Sequence, residues 1–590
     1  MRHTVGLGPV FELEWLTTAR KWQVYAGRAV FVFALLAGMT VVWIGSTAGK
    51  GLNTRGQAAV GEAFFEVLVV TQLVLVLLAA PAATAGTICL DKARGNLAHL
   101  FATDLTDVEI VLGKLAARLV PVLGCVCCTL PVMAFSTLLG GIDPVGLTGA
   151  FVITLAVAVL GCAVAMFLSV WASKSHEVMM GTCLVWAAWL LFVPMWEAID
   201  EVFFGIGVPA WMGWISLFDV AFGLLGPPNQ TILGEQLLFA GGLLLVSMVL
   251  IGVTIWRMRR VAIRQTGRGE VRKERRAKAL SRRWITLPGP TLDENPVLWR
   301  EWHRQKPSRW VRVVSVIYYA VVGSFSALVI YVIAKAGPTG GTTGEFGALV
   351  VAFSVSIGML LVAVRVPSAL VEERVRGSLD VLMTTPMTTR AIVEGKWWGA
   401  FRSSAALAVF PGLLTTIALI HDIALAGPLA HVEMLLVPGL MGLLIVSYAT
   451  FLTSLGLALA TWLKKLGRAL AATVAAHVLL TLGLPMTVMG LGLAPNNEGL
   501  EFAIVCGSSF WGPGLLMVAL EQNGGPLRNS AFGLIAGVFL WSLAFVIASL
   551  VLLVATVATF DRCMGRSTLS AIPPRRDPRP SEIPLAAVAD

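Results

Sequence analysis

Twelve long apolar runs dominate this chain, and a run of about 20 apolar residues has few destinations other than the ~30 Å hydrocarbon layer of a membrane. Read in windows of about 19 residues, they fall at 28–48, 64–88, 116–139, 147–171, 178–196, 234–256, 311–334, 346–366, 399–420, 434–461, 469–492 and 531–558. Each reads as a helix, because lipid offers no partner for an exposed backbone amide and alternating strand patterns are absent. Composition closes off the soluble alternative: 57% hydrophobic and 13% charged residues, with a mean hydropathy of +0.81, leave too little polar surface for a water-soluble globule. The expected fold is an all-α polytopic membrane protein.

Loop charges set the orientation. All but four of the 44 Lys and Arg (the exceptions being Lys50, Arg55, Lys335 and Arg528) lie on one side of this arrangement. The positive-inside rule therefore puts both termini and the polar segment 372–396 in the cytoplasm, as in a multi-pass protein of the inner (cytoplasmic) cell membrane. The other side contains two base-poor segments, near 197–230 and 493–530, that are apolar but broken by Gly and Pro. Such segments suit re-entrant or interfacial helices. No cleavable signal is evident at the N-terminus, where Phe11, Trp15, Ala19 and Trp22 share one helical face. That stripe fits a helix lying in the membrane interface or one packed on its own protein.

The cysteines fall mostly inside spans, so no disulfide framework is expected. Cys125 and Cys128 share a face, but small apolar residues at a helix contact are the commoner use of Cys, and no metal site is expected. His421 and His477 read as lone histidines without a second ligand, and no cluster of polar residues stands out within the spans. Glu62 and Glu66, one turn apart at the outer end of the second run, read as solvated flank residues first and as exit-path residues second.

An internal repeat carries more weight. Residues 91–118 align without a gap to 373–400 at an offset of 282, matching Arg94 to Arg376, Gly95 to Gly377, Leu97 to Leu379, Thr103 to Thr385 and Gly113-Lys114 to Gly395-Lys396. The starts echo too, "GPVFELEW" at 8–15 against "NPVLWREW" at 295–302. The chain divides accordingly into a six-span repeat (1–262), a basic linker (263–290), a second six-span repeat (291–567) and a tail (568–590) expected to be disordered. An even number of spans separates the copies, so both have the same topology and a pseudo-two-fold along the membrane normal is expected. Within each polar island a short helix, about 372–383 in the second copy, is stopped by the Thr-Thr-Pro turn at Pro386, and a new helix starts near Thr388. Thr106 and Glu109 have capping-box spacing in the first copy. Because Gly costs about 1 kcal/mol against Ala inside a helix, Gly95 and Gly377 are expected where another backbone comes close.

This pattern, a charged run, then Arg-Gly-small-Leu, a Thr-Thr-Pro-like turn, and Gly-Lys opening the third span, resembles the ABC-2 type permease family, the membrane halves of many bacterial ABC exporters. The resemblance covers nearly the whole chain and implies that each island contains a coupling helix seated in a cytoplasmic ATPase. By position it assigns that role to Asp91, Arg94, Gly95, Leu97 and Leu100, and to Glu373, Arg376, Gly377, Leu379 and Leu382. The first copy departs from the pattern with Asp104 at the turn and Ala98-His99 where the second has Asp380-Val381.

The chain has no motor of its own. Its Gly-Lys pairs at 49–50, 113–114 and 395–396 are not followed by Ser or Thr, and none completes a G-x-x-x-x-G-K-[ST] phosphate loop. The resemblance therefore implies a separate ATPase in two copies, with ATP-Mg bound there and no cofactor in this chain. Twelve Arg or Lys against two Glu between 257 and 283 are explained by anionic head groups beside a span, without nucleic acid. A polytopic enzyme has little support, since HExxH and GxSxG motifs are absent. An ATP-independent transporter or channel would need membrane-embedded ion sites.

Overall fold

The computed structural model describes residues 8–20, 22–47, 54–137, 144–172, 174–203, 205–207, 209–222, 232–266, 290–292, 295–303, 309–335, 341–375, 377–426, 435–463, 466–491, 498–521 and 531–565. Most of the basic linker, the tail after 565 and Arg376 lie outside the described residues. Helix is the regular structure throughout them, and twelve helical segments are long and apolar enough to cross a membrane. The chain is an all-α polytopic membrane protein.

The spans follow the apolar runs in order. Helices Trp22–Thr47, Thr54–Thr84, Asp107–Cys127 (continued by Leu130–Thr137), Pro144–Trp171, Ser175–Phe203 and Ile232–Thr266 supply the first six. Helices Arg309–Lys335, Gly341–Val375, Thr389–Ala405 (continued by Val409–Ala426), Val437–Trp462, Leu466–Leu491 with its π-helical turn Leu479–Gly483, and Ala531–Met564 supply the rest. Buried side chains gather into two large clusters, one running from Phe31 to Met258 and one centred on residues 297–560. The fifth span joins them: Met179, Met180, Cys183 and Met195 belong to the second cluster, Trp186 to the first. Lipid tails are as apolar as Leu, so this packing rests on close van der Waals contact and small residues rather than on escape from water.

Both base-poor segments hold short helices, Ala210–Gly213 and Leu217–Phe222 in one, Glu498–Val505 and Trp511–Glu521 in the other. They differ in depth. The first keeps Ile206, Trp211 and Trp214 exposed while Met212, Leu217 and Ala221 pack inward, whereas Cys506, Leu516 and Met517 insert the second into the core.

The N-terminal helix Gly8–Ala19 packs on the third span through Val10, Glu14 and Thr18. That face is not the aromatic stripe read from the sequence: Phe11 stacks on Trp15 beside it, and Leu13 and Trp22 remain exposed. A carboxylate thus lies on the packed face, which an apolar-stripe reading passes over. Glu62 and Glu66 are exposed, as expected of flank residues.

Candidate functional site

Each island is a helix–glycine–helix elbow followed by a capped start of the next span. In the first, the second span ends at Thr84, a new helix Thr87–Arg94 carries Asp91, and Gly95 ends it with φ 78°. The helix Asn96–Phe101 then buries Leu97 and half-buries Leu100. Thr106 opens the third span with the expected capping box, accepting the Glu109 amide while the Glu109 carboxylate accepts the Thr106 N–H. In the second, helix Gly341–Val375 runs straight through Glu373, Gly377 turns at φ 72°, and Ser378–Met383 buries Leu379 and half-buries Leu382. Thr384 and Thr385 donate their hydroxyls to the carbonyls of Val381 and Leu382, and Thr388 caps the ninth span. Arg94 ends its helix; Arg376 falls outside the described residues.

Two expectations need correction here. The helix expected over about 372–383 is broken at Gly377. Nor do Gly95 and Gly377 mark a close backbone approach: a Cβ on either would meet nothing within 4 Å. They are glycines because the elbow needs a left-handed residue, a conformation that Gly adopts without steric cost. The close approach lies instead at Gly395, where a Cβ would come within 3.0 Å of the Leu298 amide and of Val297.

Sequence reasoning paired the two Gly-Lys dipeptides but missed what the lysines do. Lys114, in the third span and almost fully buried, donates to Asp91 at 2.6 Å and to Glu14 of the N-terminal helix at 2.8 Å, and Arg118 reaches Glu14 at 3.0 Å. Lys396, in the ninth span, is equally buried and bonds Glu373 at 2.7 Å and Glu301 of the helix Pro296–His303, with Arg300 3.6 Å from Glu373. The first node sets two carboxylates against a lysine and an arginine; in the second, Arg365 of the eighth span also acts on Glu301, beside Lys396 and Arg300. Burial alone would raise the Glu14 carboxyl, but Lys114 and Arg118 outweigh it and hold the group below the usual carboxylate range. The signal for these partners was present in the echo of Glu14-Trp15 by Glu301-Trp302.

Neighbouring spans grip the islands as well. Lys92 Nζ donates to the carbonyls of Val170 and Ala172 (2.8 and 2.7 Å), at the end of the fourth span, and Arg374 donates to Cys563 O at the end of the twelfth. Cations suit these positions, because helix C-termini leave carbonyls unpaired and carry the negative end of the helix dipole. Asp561 accepts the Thr389 hydroxyl, and Arg259 of the sixth span lies 3.8 Å from Asp107 and over the Phe101 ring. What remains outward includes His99 and Val381, which occupy matching positions at the offset of 282.

A polar cluster does lie inside the spans, against the sequence reading, and His477 is not alone. Tyr448 of the tenth span lies 3.0 Å from His477 Nδ1 in the eleventh, and Thr481, in the π turn, pairs with Ser509 at 2.8 Å. Ser508 donates to the Thr481 carbonyl at 2.7 Å and accepts from the amides that start the helix Trp511–Glu521. The π turn and the deeply inserted outer segment are thus joined by uncharged hydrogen bonds. Among the described residues no group of three or more His, Cys, Asp or Glu could hold a metal ion. No protein-family model matches the chain, and neither does any curated protein.

Proposed function

We propose that the chain is the membrane permease of an ABC-2 type transporter with both halves fused. In this reading it is an exporter of an amphipathic or lipid-like substrate in the inner membrane, with both termini cytoplasmic. ATP-Mg is bound and hydrolysed on a separate cytoplasmic ATPase, two copies of which dock on the islands, and this chain contributes no catalytic residue. The observation that carries the reading is the doubled joint: two exposed elbows, each ending on a buried lysine that ties it to an interfacial helix and to the start of a span. A displacement of either elbow by a docked partner is passed to several spans at once, since its remaining polar bonds hold the ends of the fourth or the twelfth span.

The test is affinity purification from native membranes. It should recover a nucleotide-binding ATPase at two copies per chain, with Mg-ATP hydrolysis in the complex and none in the chain alone. His99→Glu and Val381→Glu, on the outward faces of the islands, should weaken that recovery at unchanged membrane abundance. Unchanged recovery in both variants rejects docking at the islands.

A second reading, an ATP-independent transporter, is favoured by one observation, the buried Tyr448–His477 pair next to the outer segment. Transport by the chain alone in proteoliposomes without ATP, abolished in His477→Phe, would establish it over the first.

A further inference from the structure

The island-side end of the sixth span carries a group that neither the islands nor the elbow joints use. Trp256 is exposed, and two arginines bracket it: the Arg257 guanidinium lies 4.5 Å from its ring and 6.0 Å from that of Trp171, and Arg260 lies 5.2 Å from Trp256. A guanidinium beside an indole still carries N–H donors in the fork geometry that suits a phosphate. Among the described residues neither arginine is ion-paired, whereas Arg259 between them turns toward Asp107. Leu245, Met248, Val249, Trp256 and Arg260 follow the i, i+3, i+4 spacing of one helical face, and all are exposed. From Met248 to Arg260 that face rises about 18 Å at 1.5 Å per residue, close to the ~15 Å of one leaflet's hydrocarbon.

We propose that this face is a binding site for one anionic phospholipid of the island-side leaflet, its acyl chain along Leu245–Val249, its glycerol region beside Trp256 and its phosphate on Arg257 and Arg260. Charge complementarity and the apolar track below the arginines commit the site to a lipid rather than to a free anion. The inference does not depend on the transporter reading. An occupant here would lie one residue from Arg259, the side chain with which the sixth span holds the first island.

The test uses the full chain equilibrated in mixed micelles with equal mole fractions of phosphatidylglycerol and phosphatidylcholine, and native mass spectrometry counts the lipid retained. The wild type should retain phosphatidylglycerol in preference, with one molecule per chain resisting removal. R257Q/R260Q should lower that preference about thirtyfold, the contribution expected of two basic residues near a lipid surface, and R257K/R260K should restore part of it. Neutralising Arg268, Arg272, Lys273, Arg275 and Arg276 in the linker should leave the tightly held molecule in place. Equal retention by wild type and R257Q/R260Q overturns the site. An equal loss in the linker variant reduces it to diffuse attraction, and displacement by inorganic phosphate reduces it to a free-anion site; either result also overturns it.

Discussion

At the scale of single residues, the elbow glycines make the sharpest claim. An L-residue with a side chain forced into the left-handed region costs roughly 1–2 kcal/mol, and Asn pays less of that because it visits the region more readily. We therefore expect Gly377→Val to lower the thermal unfolding midpoint clearly, Gly377→Asn to lower it less, and Gly95 to follow the same order. Equal midpoints for Val and Asn would reject conformation as the reason for glycine, since open space surrounds both positions. Residues of this kind were legible in part. Asp91, Glu373, Lys114 and Lys396 stand out in the internal alignment, because short-range spacing survives in a single sequence. Glu14 and Glu301 recur in the echoed starts, but their pairing with the lysines does not show, because it spans 100 and 95 residues. Tyr448 and His477 sit on different spans, and their meeting depends on the rotation of one helix against another, which an apolar run does not encode.

At the scale of the element, the N-terminal helix packs on the third span through Val10 and Thr18 and is tied there by one carboxylate. Glu14 ties it to Lys114 and Arg118, which outweigh burial and hold its carboxyl below the usual carboxylate range. The sign follows from linkage: a group with a depressed folded-state value stabilises fully above its unfolded value, and that contribution is lost as pH falls through the folded one. Protection of residues 8–19 against hydrogen exchange, corrected for intrinsic rates, should therefore be flat near neutrality and fall in acid below the usual carboxylate range. In Glu14→Gln it should be low at both ends and nearly independent of pH. A wild-type profile that does not change between neutral pH and pH about 3, well below an ordinary Glu, would refute the tie. The helix was legible as an element, but its packed face was not, because the sequence displays the aromatic stripe more loudly than the Val10–Glu14–Thr18 stripe that makes the contact.

For the whole molecule, the twelve spans were legible because length and apolarity alone specify a crossing helix, and what single runs leave open is the side on which each loop emerges. In a background lacking the native cysteines, Ile206→Cys and Val381→Cys should react with a membrane-impermeant maleimide from opposite faces, Ile206→Cys in intact cells and Val381→Cys only after permeabilisation. Three spans lie between the two positions, so labelling of both in intact cells would break the odd-span topology between them. The lysine nodes also set a timetable. Glu14 leaves the ribosome 100 residues before Lys114, and at ~5–20 residues per second that is a wait of about 5–20 s. Until the third span is made, Glu14 lacks the Lys114 and Arg118 that pair with it in the folded chain. The interval repeats for Glu301 and Lys396, 95 residues apart, so each half of the chain places a helix carboxylate well before the lysine that pairs with it.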